Sequence, residues 1–128
     1  MRPAQHLEKA RRVVRSLDKL DAAGDSFAII DGALIAGYHL GNALLHAHGV
    51  SAPAVHFNTP SKLEQPIDTL PAAAQPAFRS FGELEALRSV YVRGPAPPDE
   101  RAAQEARRAL AEMVRHCAAL STHSSDEA

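Results

Sequence analysis

The stretch Ser26–Gly49, SFAIIDGALIAGYHLGNALLHAHG, decides the fold. Asp31 is its only charged residue, and its apolar residues leave no consistently polar face. A helix that is hydrophobic nearly all round is normally buried at the centre of a domain, with neighbours packed on several sides. Asp31, His39, Asn42 and His46 interrupt the run, which suits a buried protein helix and not a membrane span. Its seam of Ile30, Leu34, Gly37, Gly41 and Leu44 includes two glycines, each costing roughly 1 kcal/mol against alanine inside a helix. They point to close approach of another helix backbone, although a ligand on the same surface would leave the same signature.

Helical spacing continues on either side. Leu7, Ala10, Val14, Leu17 and Leu20 recur at three- and four-residue steps, predicting a first helix over about 6–23. Gly24 suits the left-handed position after it, and Asp25 or Ser26 is placed to cap the central helix, expected over 26–49. So short a turn makes the two helices antiparallel neighbours. Residues 50–70 carry Pro53, Pro60 and Pro66 and read as a long irregular connection, with one short helical turn through Lys62 to Gln65 capped by Thr59 or Ser61. A third helix is expected over 71–92, restarted at Pro76, with Phe78, Phe81, Leu84, Leu87, Val90 and Tyr91 on one face; Gly94 and three prolines end it. A fourth, over 99–120, opens on Pro98, Asp99 and Glu100 and has the seam Ala106, Leu110, Met113, Cys117 and Leu120. The tail 121–128 is polar and expected to be disordered. No stretch alternates with period two, so the fold class is all-α: one domain over 1–128, an up-down four-helix bundle with a long connection between helices 2 and 3.

Composition sets bounds on function. The 128 residues carry 14 basic and 15 acidic side chains, so no net charge draws the chain to nucleic acid. The clustered Arg11, Arg12 and Arg15 read most simply as a solvated face. Cys117 is the single cysteine, which rules out an internal disulfide and a cysteine-rich metal site. The opening MRPAQHLEKARR lacks the apolar core of a signal peptide, and a cytoplasmic protein is expected. Glycine-rich phosphate loops, Gly-x-Ser-x-Gly and His-Glu-x-x-His are missing, and Cys117 lies on an inward seam where a thiol is an inert small hydrophobe. No catalytic residue is assigned.

Candidate ligand-binding residues come from helical geometry. At about 100° per residue, Asp31, Ile35, Tyr38 and Asn42 line up along the central helix, flanked by His39 and His46. Such a stripe could bind a ligand, hold a metal through His39 and His46, or form a polar network between helices. Two helical metal ligands need one-turn spacing, and His39 and His46 are two turns apart. His46, His48 and His56 would converge only if the helix frayed. The satisfied polar network is the preferred reading, and no metal and no cofactor are assigned. On the third helix Arg88 either pairs Glu85 along the helix surface or reaches the stripe to bind an anion, with Tyr91 one turn further. The candidate site is therefore Tyr38, His39, Asn42, His46, Arg88 and Tyr91.

The segments LEKARRVVRSLDKL, IAGYHLGNALLHAHG and FGELEALRSVYVRG, followed by an acidic-capped last helix, resemble the HEPN family of small helical domains. The resemblance implies an up-down bundle, commonly a homodimer, with links to RNA or nucleotide chemistry and to a nucleotidyltransferase-type partner. Ribonuclease members carry an arginine followed after four to six residues by a histidine. Arg88 stands about where that arginine would be, but no histidine follows before His116. The leading expectation is accordingly a non-catalytic, self-associating bundle that binds a partner protein or a nucleotide- or RNA-type ligand, with no membrane partner. An unconventional ribonuclease or nucleotide-processing enzyme and a metal-binding bundle are the alternatives.

Overall fold

A computed structural model describes residues 1–52, 55–57 and 59–120; the expectation for the tail 121–128 lies outside this range. Among the described residues there are four α-helices and no strand: α1 (Pro3–Leu17), α2 (Ser26–Ala47), α3 (Gln75–Arg88) and α4 (Glu100–Cys117). The chain is an all-α four-helix bundle. Helix α2 is its centre, packing against α1, α3 and α4, while α3 and α4 pack on each other. By length and composition α2 could cross a membrane, but two thirds of its most apolar window is buried inside the bundle.

Local chemistry explains where the helices begin and end. Helix α1 starts one turn earlier than periodicity suggests, because Pro3 occupies its first turn and the Gln5 side chain accepts from the Arg2 amide at 2.7 Å. That places His6 inside the helix, fully buried against α2. It also stops six residues short of Ala23. Arg107 of α4 donates to the Leu17 and Leu20 carbonyls at 2.9 and 2.6 Å, supplying partners that a continued helix would otherwise provide. The turn that follows is held by carboxylates. Asp21 accepts from the Gly24 amide at 2.7 Å, and Asp25 accepts from the Asp21 amide at 2.9 Å. Gly24 is therefore not left-handed, and the Asp25 side chain serves the turn instead of capping α2.

The end of α2 follows the expected signal. Gly49 has φ +69°, its amide donates to the His46 carbonyl at 3.1 Å, and the Val50 amide donates to the Leu45 carbonyl at 2.8 Å. This is the Schellman arrangement. Among the described residues between α2 and α3 the regular structure is three 3₁₀ turns, at Pro60–Lys62, Ile67–Thr69 and Ala72–Ala74. Helix α3 restarts at Pro76 as expected, but its last turn widens into a π-helix over Ser89–Arg93. The wider turn shifts the register, so Val90 faces solvent while Tyr91 and Val92 pack on the core.

The glycines of α2 accept aromatic side chains and not a helix backbone. A Cβ on Gly41 would lie 3.1 Å from the Phe81 ring and 3.4 Å from Phe78; one on Gly37 would lie 3.1 Å from Phe81 and Leu84. Both phenylalanines are completely buried, each contributing roughly 1.5–3 kcal/mol. The α2 glycines let those rings sit directly on its backbone.

Candidate functional site

Three polar positions of α2 meet three different fates. Asn42 is completely buried and well satisfied. Its Nδ2 donates to the Tyr38 and Phe57 carbonyls at 2.8 and 2.9 Å, and its Oδ1 accepts from the Phe57 amide at 2.9 Å. An amide side chain can match both backbone groups of one residue, so Asn42 pins the irregular connection to α2 at Phe57. His56, the next residue, is thereby held beside the helix.

His39 and His46, one turn to either side of Asn42, belong to a histidine cluster. His6 from α1, His46 from α2 and His56 from the connection form a near-equilateral triangle, with ring centroids 5.3, 5.0 and 5.4 Å apart. One ring nitrogen from each lies within 4.8 Å of the other two. The Nε2 atoms of all three are buried and have no hydrogen-bond partner. Their other nitrogens are engaged where partners exist. His6 Nδ1 lies 3.0 Å from His39 Nδ1, and His46 Nδ1 lies 3.3 Å from the Ser51 carbonyl and 3.1 Å from its hydroxyl. Tyr38 stands edge-on to His6 at 6.1 Å and lies 4.7 Å from His39, walling the cluster on one side.

The electrostatics favour the neutral ring at His6, His39 and His46. Burial, and then the neighbouring His39, His46, His56 and the N-terminal amine, push His6 from 6.5 down to about 3. His39 is lowered by burial, then by Lys9 and His56. His46 is lowered by burial, with the Ser51 carbonyl opposing. A neutral imidazole carries a lone pair on one nitrogen and a proton on the other. A proton shared with the Ser51 carbonyl must sit on His46 Nδ1, which leaves the lone pair on its buried, partnerless Nε2.

The third fate is that of Asp31. It accepts from Arg88 Nε at 2.9 Å, with both side chains about one-third exposed. Arg88 thus does reach the central stripe, but it meets a carboxylate there. The surface pairing with Glu85 does not form: Glu85 accepts instead from the amide and hydroxyl of Ser61, on the connection. Arg88 and Tyr38 share a shallow cleft of about 320 Å³ with Asp31, Ile35 and Thr59. Tyr91 is half-buried in the π-helical turn, apart from the histidines.

The sequence brings His46 together with His48 and His56 only if α2 frays. The helix stays wound through Ala47, His48 is exposed at its cap, and the third member is His6. Spacing along α2 cannot reveal His6, which arrives from another helix. The available signal was compositional: of seven histidines in the chain, His6, His39, His46, His48 and His56 fall in the first 56 residues. Compared with family models, curated proteins and solved structures, the chain matches none.

Proposed function

We propose that this protein is a metal-binding helical bundle that holds one divalent transition-metal ion of the zinc class through Nε2 of His6, His46 and His56. The observation that carries the reading is that three histidines with buried, partnerless Nε2 atoms each bring a ring nitrogen within 4.8 Å of the other two. An unpaired buried polar atom costs roughly 1–3 kcal/mol, and three in one place need a common partner. An all-imidazole set suits zinc, nickel, cobalt or copper(II), and suits neither magnesium nor calcium, which take oxygen ligands. Tetrahedral zinc with bonds of 2.0–2.1 Å would hold its nitrogens about 3.4 Å apart, so the triangle closes slightly around the ion. His46 and His56, half-buried, have the freedom to rotate; His6 is the fixed corner.

The surroundings resemble an outer ligand shell. Ser51 orients His46 through Nδ1, and His39 does the same for His6, leaving the fourth position to water. Because the folded rings of His6 and His46 already lack a proton near pH 7, the ion displaces few protons from them on binding. The ion would tie together the first turns of α1, the last turns of α2 and the connection. Zinc dialysis followed by elemental analysis tests this. One zinc per chain is expected, falling to background in His46→Ala; equal retention by that variant would refute the assignment.

A second reading, the nucleotide- or RNA-type ligand, rests on Tyr38 and Arg88 sharing one cleft. An anion there must displace Asp31 from Arg88, so Asp31→Asn should tighten nucleotide binding, measured by calorimetry. No binding by either form would end this reading without touching the metal site.

A further inference from the structure

A different part of the molecule carries its own binding site. The seam between α1 and α4 is not closed. An open groove of about 390 Å³ runs along it, with Leu7 and Val14 on one wall, Val114 on the other, and Leu40 and Cys117 as its floor. A second hollow of about 220 Å³ continues the same seam and shares Val14 and Val114. The volume of the main groove is within the range of small-molecule sites. Val114 is 41% exposed, so among the described residues nothing covers its wall. The floor is apolar throughout: burial pushes the Cys117 thiol up to about 12, and its Sγ donates to the Leu40 carbonyl at 3.8 Å.

The polar features of the main groove are all of one sign. Among the described residues Arg11 and Arg15, one turn apart on α1, are the only charged side chains lining it. Neither makes an ion pair among the described residues. The nearest acid on that helix, Glu8, is taken by Arg12 at 3.2 Å. Two uncompensated guanidinium groups above an apolar trough match a ligand with an anionic head and an extended hydrocarbon body. A nucleic-acid backbone would leave the trough unfilled.

We propose that this groove binds a single long-chain fatty carboxylate, its alkyl chain along the α1–α4 seam and its carboxylate between Arg11 and Arg15. The chain lies over Leu40 and Cys117 and extends toward the second hollow past Val114. The site is separate from the histidine cluster and does not depend on it.

Calorimetric titration of the whole protein with decanoate, dodecanoate and tetradecanoate, each below its micelle concentration, tests the proposal. A buried methylene is worth at most about fourfold in affinity, so each two-carbon step should tighten binding by about three- to tenfold until the groove is full. The double variant Arg11→Gln/Arg15→Gln should bind dodecanoate at least about tenfold more weakly, and dodecanol should bind wild type as poorly. Val114→Trp should block binding while leaving the helical circular dichroism and the cooperative thermal melt intact, which reports that it folds. The proposal is overturned if dodecanoate does not bind, or if both variants bind it as wild type does. It is equally overturned if the groove proves to be the face of a dimer that Val114→Trp dissociates. Binding to phosphatidylglycerol vesicles without binding of the free acids would also overturn it.

Discussion

Asn42 and His46 sit one turn apart on α2, and both put polar atoms into the interior, yet their accounts differ. Asn42 uses both amide hydrogens and its oxygen on backbone partners and leaves little to be satisfied. His46, with His6 and His56, satisfies one side of the ring or neither, and leaves every Nε2 bare. The bland explanation of buried polar residues, a satisfied internal network, holds for Asn42 and fails for the histidines. That contrast separates a structural polar residue from a set of buried ring nitrogens left without partners.

The contrast is broken most forcefully by acid. The unfolded chain binds protons on its histidines below about 6.5, whereas folded His6 stays neutral down to about 3. Stability from this group is therefore complete above about pH 6.5 and is lost as the pH falls. His6 alone should remove about 2 kcal/mol between pH 7 and 5 and up to about 4 kcal/mol by pH 3, with His39 and His46 acting in the same direction. Urea unfolding of the metal-free protein across this range measures the slope. His6→Leu should flatten it, abolish zinc retention, and leave stability at pH 8 unchanged or raised, since it removes a buried atom without a partner. A steep slope surviving in His6→Leu would place the titration elsewhere.

Next in size is the other side of the comparison. Asn42→Ala strands the Phe57 amide and carbonyl, so it should cost about 2–4 kcal/mol in urea unfolding. It should also weaken zinc binding about tenfold, because it releases the segment that carries His56. Unchanged zinc affinity would show that the clamp does not position His56. Smaller effects test the packing that brings α2 into place. Gly41→Ala pushes a methyl group onto two fully buried rings and should cost about 1–2 kcal/mol despite the better helix former. Gly82→Ala, where an added Cβ meets nothing within 4 Å, should stabilise by about 0.5–1 kcal/mol. Thermal melts of the pair read the difference; equal effects would mean that the rings have room to move.

What was legible in the sequence was whatever is decided within one helix. The apolar run of α2 specified its central position, Gly49 its stop, and Pro76 the restart of α3. What was not legible depended on partners from elsewhere. The early end of α1 comes from Arg107, ninety residues along the chain from Leu17. The role of Asn42 comes from Phe57 in the irregular connection, where no periodicity applies. The candidate site was half visible: His39, His46 and Tyr38 lie on one helix, whereas His6 and His56 reach them only through the fold. The sequence leaves Arg88 between a surface pair with Glu85 and the central stripe, and its pairing with Asp31 shows only in the antiparallel packing of α2 and α3.

The most direct test of the central claim is nitrogen-detected NMR of the histidine rings during a zinc titration. At one equivalent, the Nε2 resonances of His6, His46 and His56 should move together, with Nδ1 protonated on His6 and His46, while His48 and His116, outside the cluster, stay in place. Rings that do not respond to zinc, or a response confined to His48 and His116, would contradict it.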